Sequence, residues 1–303
     1  MILVGDVRKQ LKTLDDNSVN CVVTSPPYWG LRDYGQDNQI GLEQSPDDYI
    51  TNMVEVFREV KRVLREDGTL WLNIGDSYSG SGKGPAGNLG KKHNERHLEH
   101  KTGGIVPKGT KPKDLVGIPW MLAFALRADG WYLRQDIIWA KPNVMPESVR
   151  DRCTKSHEYV FLLTKSPKYY YDHVAIKEPV SDVSLKRAQS GWKSNRPSAK
   201  AGPNGVDVEQ MGTRFVNPEG RNKRDVWFIP TASFKGAHFA VMPERLVEPC
   251  VLAGSPEGGV VLDPFFGSGT VGVVAQRHNR KYIGIELNPE YAEIAKKRLG
   301  MLD

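Results

Sequence analysis

Two short segments near opposite ends of the 303-residue chain hold residue types suited to chemistry. The first is Val23-Thr24-Ser25-Pro26-Pro27-Tyr28. Pro26 and Pro27 lack an N–H and present only carbonyl oxygens, Ser25 adds a hydroxyl acceptor, and Tyr28 adds an aromatic face. An exocyclic amino group on a planar ring requires that combination: acceptors for its two hydrogens and a surface to stack on. The second segment is Val261-Leu262-Asp263-Pro264-Phe265-Phe266-Gly267-Ser268-Gly269-Thr270. Gly267 and Gly269 let the backbone approach a ligand closely. Glu286, about 20 residues on, can accept hydrogen bonds from ribose hydroxyls. Together the segments point to chemistry on an amino group, with a nucleoside cofactor held nearby.

Each segment needs an element to hold it. Val19 to Val23 is a short apolar run rich in β-branched residues and reads as a buried strand. Two prolines cannot continue that strand, so the chain leaves the sheet at Ser25. The loop then lies at a strand's C-terminal end, where open α/β sheets place their ligands. Gly259 to Leu262 reads as a second strand, Val271 to Gln276 as the start of a helix, and Lys281 to Ile285 as a third strand ending in Glu286. The turn also fits G-x-G-x-x-G, the dinucleotide pattern. Only about 30 residues follow it, however, too few for the rest of a dinucleotide fold. An Asp before the loop and an aromatic residue beside it suit a positively charged sulfonium ligand without a pyrophosphate.

Taken in this order, the two motifs resemble those of the amino-methylating DNA methyltransferases of the β (permuted) group. The resemblance implies S-adenosyl-L-methionine (AdoMet) as cofactor. It assigns Ser25, Pro26, Pro27 and Tyr28 to the catalytic pocket, and Asp263, Pro264, Phe265, Phe266, Gly267, Ser268, Gly269, Thr270 and Glu286 to the cofactor. Leu3-Val4-Gly5-Asp6 resembles the family segment that contacts adenine, with Asp6 the acceptor. Thr69 to Asp76 resembles the strand after the catalytic loop. Ile137 to Pro142 and His157 to Phe161 resemble the strand pair and lid over the target base. His238 to Pro243 resembles the segment lining the cofactor pocket and leading into a helix. The implied fold is α/β: a doubly wound, mostly parallel sheet with permuted motif order and an inserted target-recognition region.

The implied chemistry is direct attack of a flipped-out base's amino nitrogen on the AdoMet methyl carbon. Ser25 and the Pro26 carbonyl accept its hydrogens, and Tyr28 stacks on the ring, with Trp29 an alternative surface. Thr-Ser-Pro-Pro-Tyr resembles the N4-cytosine members; N6-adenine members more often carry Asp or Asn at the Ser25 position. Cytosine N4 is therefore favoured, and adenine N6 stays open. Cytosine C5 chemistry would need a Pro-Cys nucleophile. Pro249-Cys250 lies within a predicted helix, Glu244 to Leu252, and reads as a packed core thiol. RNA or protein amide methyltransferases usually place the glycine motif first, and a silent DNA-binding module need not keep both motifs intact.

The formal net charge is +6, with 39% hydrophobic residues and three cysteines, at 21, 153 and 250, without metal spacing. These numbers suit a protein of reducing cytoplasm, prokaryotic or phage, with no membrane segment and no metal. Residues 79–113 read as a basic loop carrying Lys91 and Lys92, suited to phosphate contacts. Three domain parts follow: 1–178 as the catalytic half, 179–224 as a target-recognition insertion, and 225–303 as the cofactor half. The insertion carries Arg187, Lys193, Arg196, Arg214, Arg221, Lys223 and Arg224, which suit phosphates and base edges. The resemblance implies double-stranded DNA as substrate, a homodimer, and a companion restriction endonuclease as a further partner.

Overall fold

The computed structural model describes residues 1–31, 33, 35–36, 38–80, 106, 109–189, 220–232 and 241–301, with backbone only at 184 and 187–189. Met1–Tyr171 with Asp225–Asp303 form one compact unit, and Asp172–Arg224 form a second.

The first unit is built on one sheet. Its strands are β1 (Ile2–Val4), β2 (Val19–Thr24), β3 (Leu64–Ile74), β4 (Tyr132–Ala140), β5 (His157–Thr164), β6 (Val226–Phe228), β7 (Val260–Asp263) and β8 (Lys281–Glu286), in the order β1-β8-β7-β2-β3-β5-β4-β6. β5 pairs antiparallel with β3 and with β4; every other neighbouring pair is parallel. The expected doubly wound, mostly parallel sheet is therefore present. From β7 the chain crosses to β8 on one side, and from β2 it crosses to β3 on the other. The β7–β2 boundary is thus a topological switch point, with a crevice at the strands' carboxyl ends.

Helices cover the sheet because its strands are apolar on both faces. α1 (Val7–Gln10), α2 (Pro46–Val63) and α3 (Ile118–Ala128) share a core cluster with Val22, Leu70, Leu72, Phe161 and Leu262. α2 starts where Ser45 accepts a hydrogen bond from the Asp48 N–H and Pro46 opens the first turn. Its residues Tyr49, Met53, Val56, Phe57, Val60 and Val63, at helical spacing, form the buried stripe. α5 (Glu244–Gly254) lies against the alternate side chains: the Cys21 thiol faces the Cys250 carbonyl. Cys250 is 1% exposed and its thiol donates to the Leu246 carbonyl at 3.3 Å, so it is a packed core residue. α6 (Thr270–Arg277) and α7 (Pro289–Arg298) complete the unit.

The second unit contains α4 (Asp182–Gln189) and a backbone bridge in which Glu178 and Arg221 exchange N–H···O bonds of 2.9 Å. No helix among the described residues is long and apolar enough to cross a membrane.

Gly284 of β8 carries Phe266 directly on its α-carbon. A β-carbon there would stand 2.3 Å from the ring. Gly284→Ala is expected to destabilise the protein by about 1–3 kcal/mol through overpacking, read as a lower urea midpoint at unchanged slope.

Candidate active site

The carboxyl ends of β1, β2, β3, β7 and β8 open into one cavity of about 400 Å³, a size suited to a small-molecule ligand. The two expected motifs, separated by most of the chain, meet there. β7 pairs with β2 in parallel, Val261 beside Cys21 and Leu262 beside Val22, so both strands end at one level. The last residue of each strand seals the junction: Thr24 Oγ1 donates to Asp263 Oδ1 at 2.7 Å. The Phe265 N–H donates to the same oxygen at 3.0 Å and folds the chain into the glycine turn.

Three carboxylates line the cofactor-type end, each compensated differently. Asp6 caps α1 by accepting from the Arg8 N–H at 2.8 Å and is paired to the Arg8 guanidinium at 2.5 Å. The guanidinium hydrogen bond holds the Asp6 pKa below the usual carboxylate range. Glu286 accepts the Gly267 N–H at 2.7 Å and the Asn288 N–H at 2.8 Å; burial still pushes its pKa up against those bonds. Asp263 is 2% exposed, accepts from the neutral donors of Thr24 and Phe265, and is pushed up to about 7 by burial. A cation entering this end would relieve that cost.

The glycine turn is anchored from behind. Gly269, at φ 80°, caps α6 in a left-handed conformation, and a β-carbon there would stand 2.9 Å from Ala295. Arg298 of α7 donates to the Ser268 carbonyl at 2.7 Å and to the Ser268 and Thr270 hydroxyls at 2.9 and 3.1 Å. Phe266 contributes to the cavity's edge, but its ring stacks on Tyr282 and packs with Ala295 and Leu299.

At the other end the Pro-Pro loop is held by α2, where the Tyr49 hydroxyl donates to the Pro27 carbonyl at 2.9 Å. Ser25 Oγ faces the Tyr28 hydroxyl at 3.4 Å, and that hydroxyl donates to Glu158 Oε2 at 2.7 Å. Burial first, then the Glu158 charge, raises the Tyr28 pKa well above its ordinary value. Asn73 donates to Glu158 Oε2 at 3.1 Å, and Lys141 forms an ion pair with Glu158 Oε1.

Ser25, Pro26, Pro27, Tyr28, Asp6, Asp263, Pro264, Phe265, Phe266, Gly267, Ser268, Thr270 and Glu286 therefore all border one cavity. Gly269 stands behind it as the helix cap. Trp29 is turned away from it, donating to the Glu43 carbonyl at 3.0 Å. Asn73, Lys141 and Glu158 also line the cavity; the sequence resemblance puts them in the strand after the catalytic loop and in the strand pair and lid over the target base, but gives none of them an individual role. Asn73, a polar residue within the apolar run Leu70–Ile74, was the available signal.

His238, Lys91, Lys92, Lys193, Arg196 and Arg214 lie outside the described residues, as does the side chain of Arg187. In the second unit, Arg221, Lys223 and Arg224 gather around Glu178 at 3.4, 3.9 and 3.0 Å. No metal-binding group occurs among the described residues.

The DNA methylase family model for N6 and N4 methyltransferases matches residues 19–297. The chain is 51% identical to the Type II methyltransferase M.SmaI of Serratia marcescens over 98% of this chain and 90% of that one. It is 50% identical to the Type II methyltransferase M.Cfr9I of Citrobacter freundii, over 97% and 86% of the two chains. Its fold is similar to that of the cytosine-N4-specific PvuII DNA methyltransferase, with a TM-score of 0.64 at 18% identity over 100% and 86% of the chains. It is also similar to TTHA0409 of Thermus thermophilus in complex with S-adenosyl-L-methionine, with a TM-score of 0.60 at 24% identity over 99% and 93%.

Asp263 generates a test of the cavity's electrostatics. Its folded pKa, about 7, lies above its ordinary 3.8. The folded state therefore holds the extra proton between those values, and Asp263's contribution to stability is present at low pH and lost as pH rises through about 7. Asp263→Asn removes this slope while leaving an acceptor for Thr24. Its thermal midpoint should gain on the unsubstituted protein between pH 5 and pH 8 in the absence of ligand. Parallel curves would show that the carboxyl is not perturbed.

Proposed function

This chain belongs to the N6/N4 DNA methylase family, and from that premise we propose that it methylates the exocyclic N4 of cytosine in double-stranded DNA. It is an AdoMet-dependent DNA methyltransferase. The observation that carries the finer reading is that Ser25 and Pro26 line the same cavity as the three carboxylates Asp6, Asp263 and Glu286.

The residues at that end suit AdoMet. Asp263 presents negative charge to a cationic ligand, Asp6 stands where the family resemblance puts the adenine acceptor, Glu286 retains lone pairs for ribose hydroxyls, and the Gly267 turn permits close backbone approach. When bound, that cofactor supplies an electrophilic methyl group on a sulfonium, whose C–S bond breaks with its electron pair left on sulfur. The chain's own residues then act on the base. A base inside a duplex cannot reach this cavity and must be flipped out. The ring of Tyr28 gives it a stacking surface. Ser25 Oγ and the Pro26 carbonyl oxygen accept its two amino hydrogens, draw the nitrogen lone pair out of conjugation and aim it at the cofactor end. The nitrogen gains the methyl group and returns to neutrality by losing one hydrogen as a proton to water.

The serine at position 25 supports cytosine over adenine, because it matches the N4 members' Ser-Pro-Pro-Tyr motif. Arg221, Lys223 and Arg224 support a phosphate-contacting role for the second unit. The family resemblance supports a homodimer. The Type II names of the similar proteins support a role in a restriction-modification system, with a restriction endonuclease as companion.

Incubation with labelled AdoMet and mixed-sequence duplex DNA, followed by nucleoside mass spectrometry, should yield N4-methylcytosine. N6-methyladenine would replace the base assignment and leave the pocket intact. Ser25→Ala should cut kcat by about 100-fold while AdoMet affinity stays within about twofold. Glu286→Ala should do the converse, raising the AdoMet Kd by about tenfold or more, measured by calorimetry. If Tyr28→Ala kept full activity on duplex DNA, the pocket assignment would be wrong.

A further inference from the structure

We infer that Glu158 is a positioning residue that sets the direction of the hydroxyl chain Tyr28–Ser25 and so makes Ser25 an acceptor toward the target base. The inference rests on the reading of Ser25 as acceptor for an amino group.

The geometry carries it in steps. An ionised carboxylate only accepts hydrogen bonds. Glu158 takes the Tyr28 hydroxyl and Asn73 Nδ2 on Oε2 and the Lys141 ammonium on Oε1. The single Tyr28 proton is therefore committed to Glu158 at 2.7 Å. Toward Ser25 the Tyr28 oxygen can only accept, and Ser25 donates to it across 3.4 Å. That commits the Ser25 proton as well, and leaves the lone pairs of Ser25 Oγ for the cavity. The 3.4 Å step is long for an O–H···O bond, as is common for catalytic contacts before substrate arrives.

The surroundings are built for this arrangement. Lys141 and Glu158 are each 15% exposed, and the Lys141 ammonium lies 4.2 Å from the Trp139 ring centroid, so the pair is fixed on both sides. Asn73 also donates to the Tyr159 carbonyl at 3.1 Å, which fixes its amide with the N–H side toward Glu158. Gly75 gives room for the contact: a β-carbon there would stand 2.8 Å from the Tyr28 ring and 3.2 Å from the Glu158 side chain. The arrangement bears on specificity. A flipped base with an amino group at the reacting position meets two acceptors, Ser25 and the Pro26 carbonyl. A base with an oxo group there meets two acceptors with a third, and is repelled.

The test uses the full chain and a duplex carrying the methylation site mapped by mass spectrometry and sequencing. Tyr28→Phe keeps the ring and removes the link; Glu158→Gln keeps the size and removes the charge. Each should lower kcat by about tenfold or more with the AdoMet KM within about twofold. The double variant should be no slower than the slower single, because both act through one chain. Binding should report the same property without turnover. Without cofactor, the ratio of affinities for a duplex with cytosine and one with uracil at the target position should be lower in each single variant than in the unsubstituted protein, a comparison in which the cost of flipping each base cancels. Multiplying kcat losses, or Glu158→Gln at unsubstituted kcat and an unchanged cytosine-to-uracil ratio, would overturn the inference while leaving the Ser25 reading standing. An unsubstituted protein that methylates no amino group would overturn that reading instead. Should Glu158→Gln fail to fold, Tyr28→Phe decides alone, and full kcat with an unchanged ratio overturns the proposal.

Discussion

The hydrogen bond from Thr24 to Asp263 is the contact on which the arrangement of the site depends. It joins residues 239 positions apart, at the tips of adjacent parallel strands. Both side chains are buried, so an unmade bond would leave polar atoms desolvated at a cost of about 1–3 kcal/mol. The strand tips are thereby held level, and the catalytic loop and the glycine turn leave the sheet into the same crevice. Every other feature of the cavity extends this junction. Glu286 holds the glycine turn from β8, Tyr49 holds the proline loop from α2, and Arg298 holds the turn from its outer side.

Charge divides the cavity into two ends. Asp6 is satisfied by Arg8, whereas the cost of burial outweighs the hydrogen bonds accepted by Glu286 and, most strongly, those accepted by Asp263. A cationic ligand offsets that cost, so the protein's own destabilisation becomes part of the ligand's affinity. At the other end Glu158 is neutralised by Lys141. Its influence there is one of direction, since it presents only acceptors and hydroxyls must orient accordingly.

The motifs were legible because each joins a short apolar run to residues that cannot continue it. Val19–Val23 closed by two prolines became β2 (Val19–Thr24), and Lys281–Ile285 closed by Glu286 became β8 (Lys281–Glu286). The start of β3 was less legible. The sequence segment that resembles this strand starts at Thr69, whereas β3 starts at Leu64; the register on β2 jumps from Leu64 opposite Val19 to Thr69 opposite Cys21, so Arg65, Glu66, Asp67 and Gly68 bulge out and continuous pairing on both sides does start at Thr69. Asp76 closes the segment that resembles the strand after the catalytic loop, but its carboxylate caps α3, accepting the Gly117 and Ile118 N–H groups at 3.0 and 3.1 Å.

Asn73, Lys141 and Glu158 came together only through pairing. They lie on or next to three strands, and the β3–β5–β4 register sets Asn73 beside Val160 and Ala140 beside His157. Local sequence determined which residues accept, stack or turn, because proline, glycine and β-branched side chains restrict the backbone wherever they occur. Strand order was decided by tertiary structure. Placing β7 between β8 and β2 depends on burying apolar surface between segments far apart in the chain, an energy that no local window contains. The chain thus carries the parts of an amino-group pocket in its sequence, and the sheet decides what each part faces.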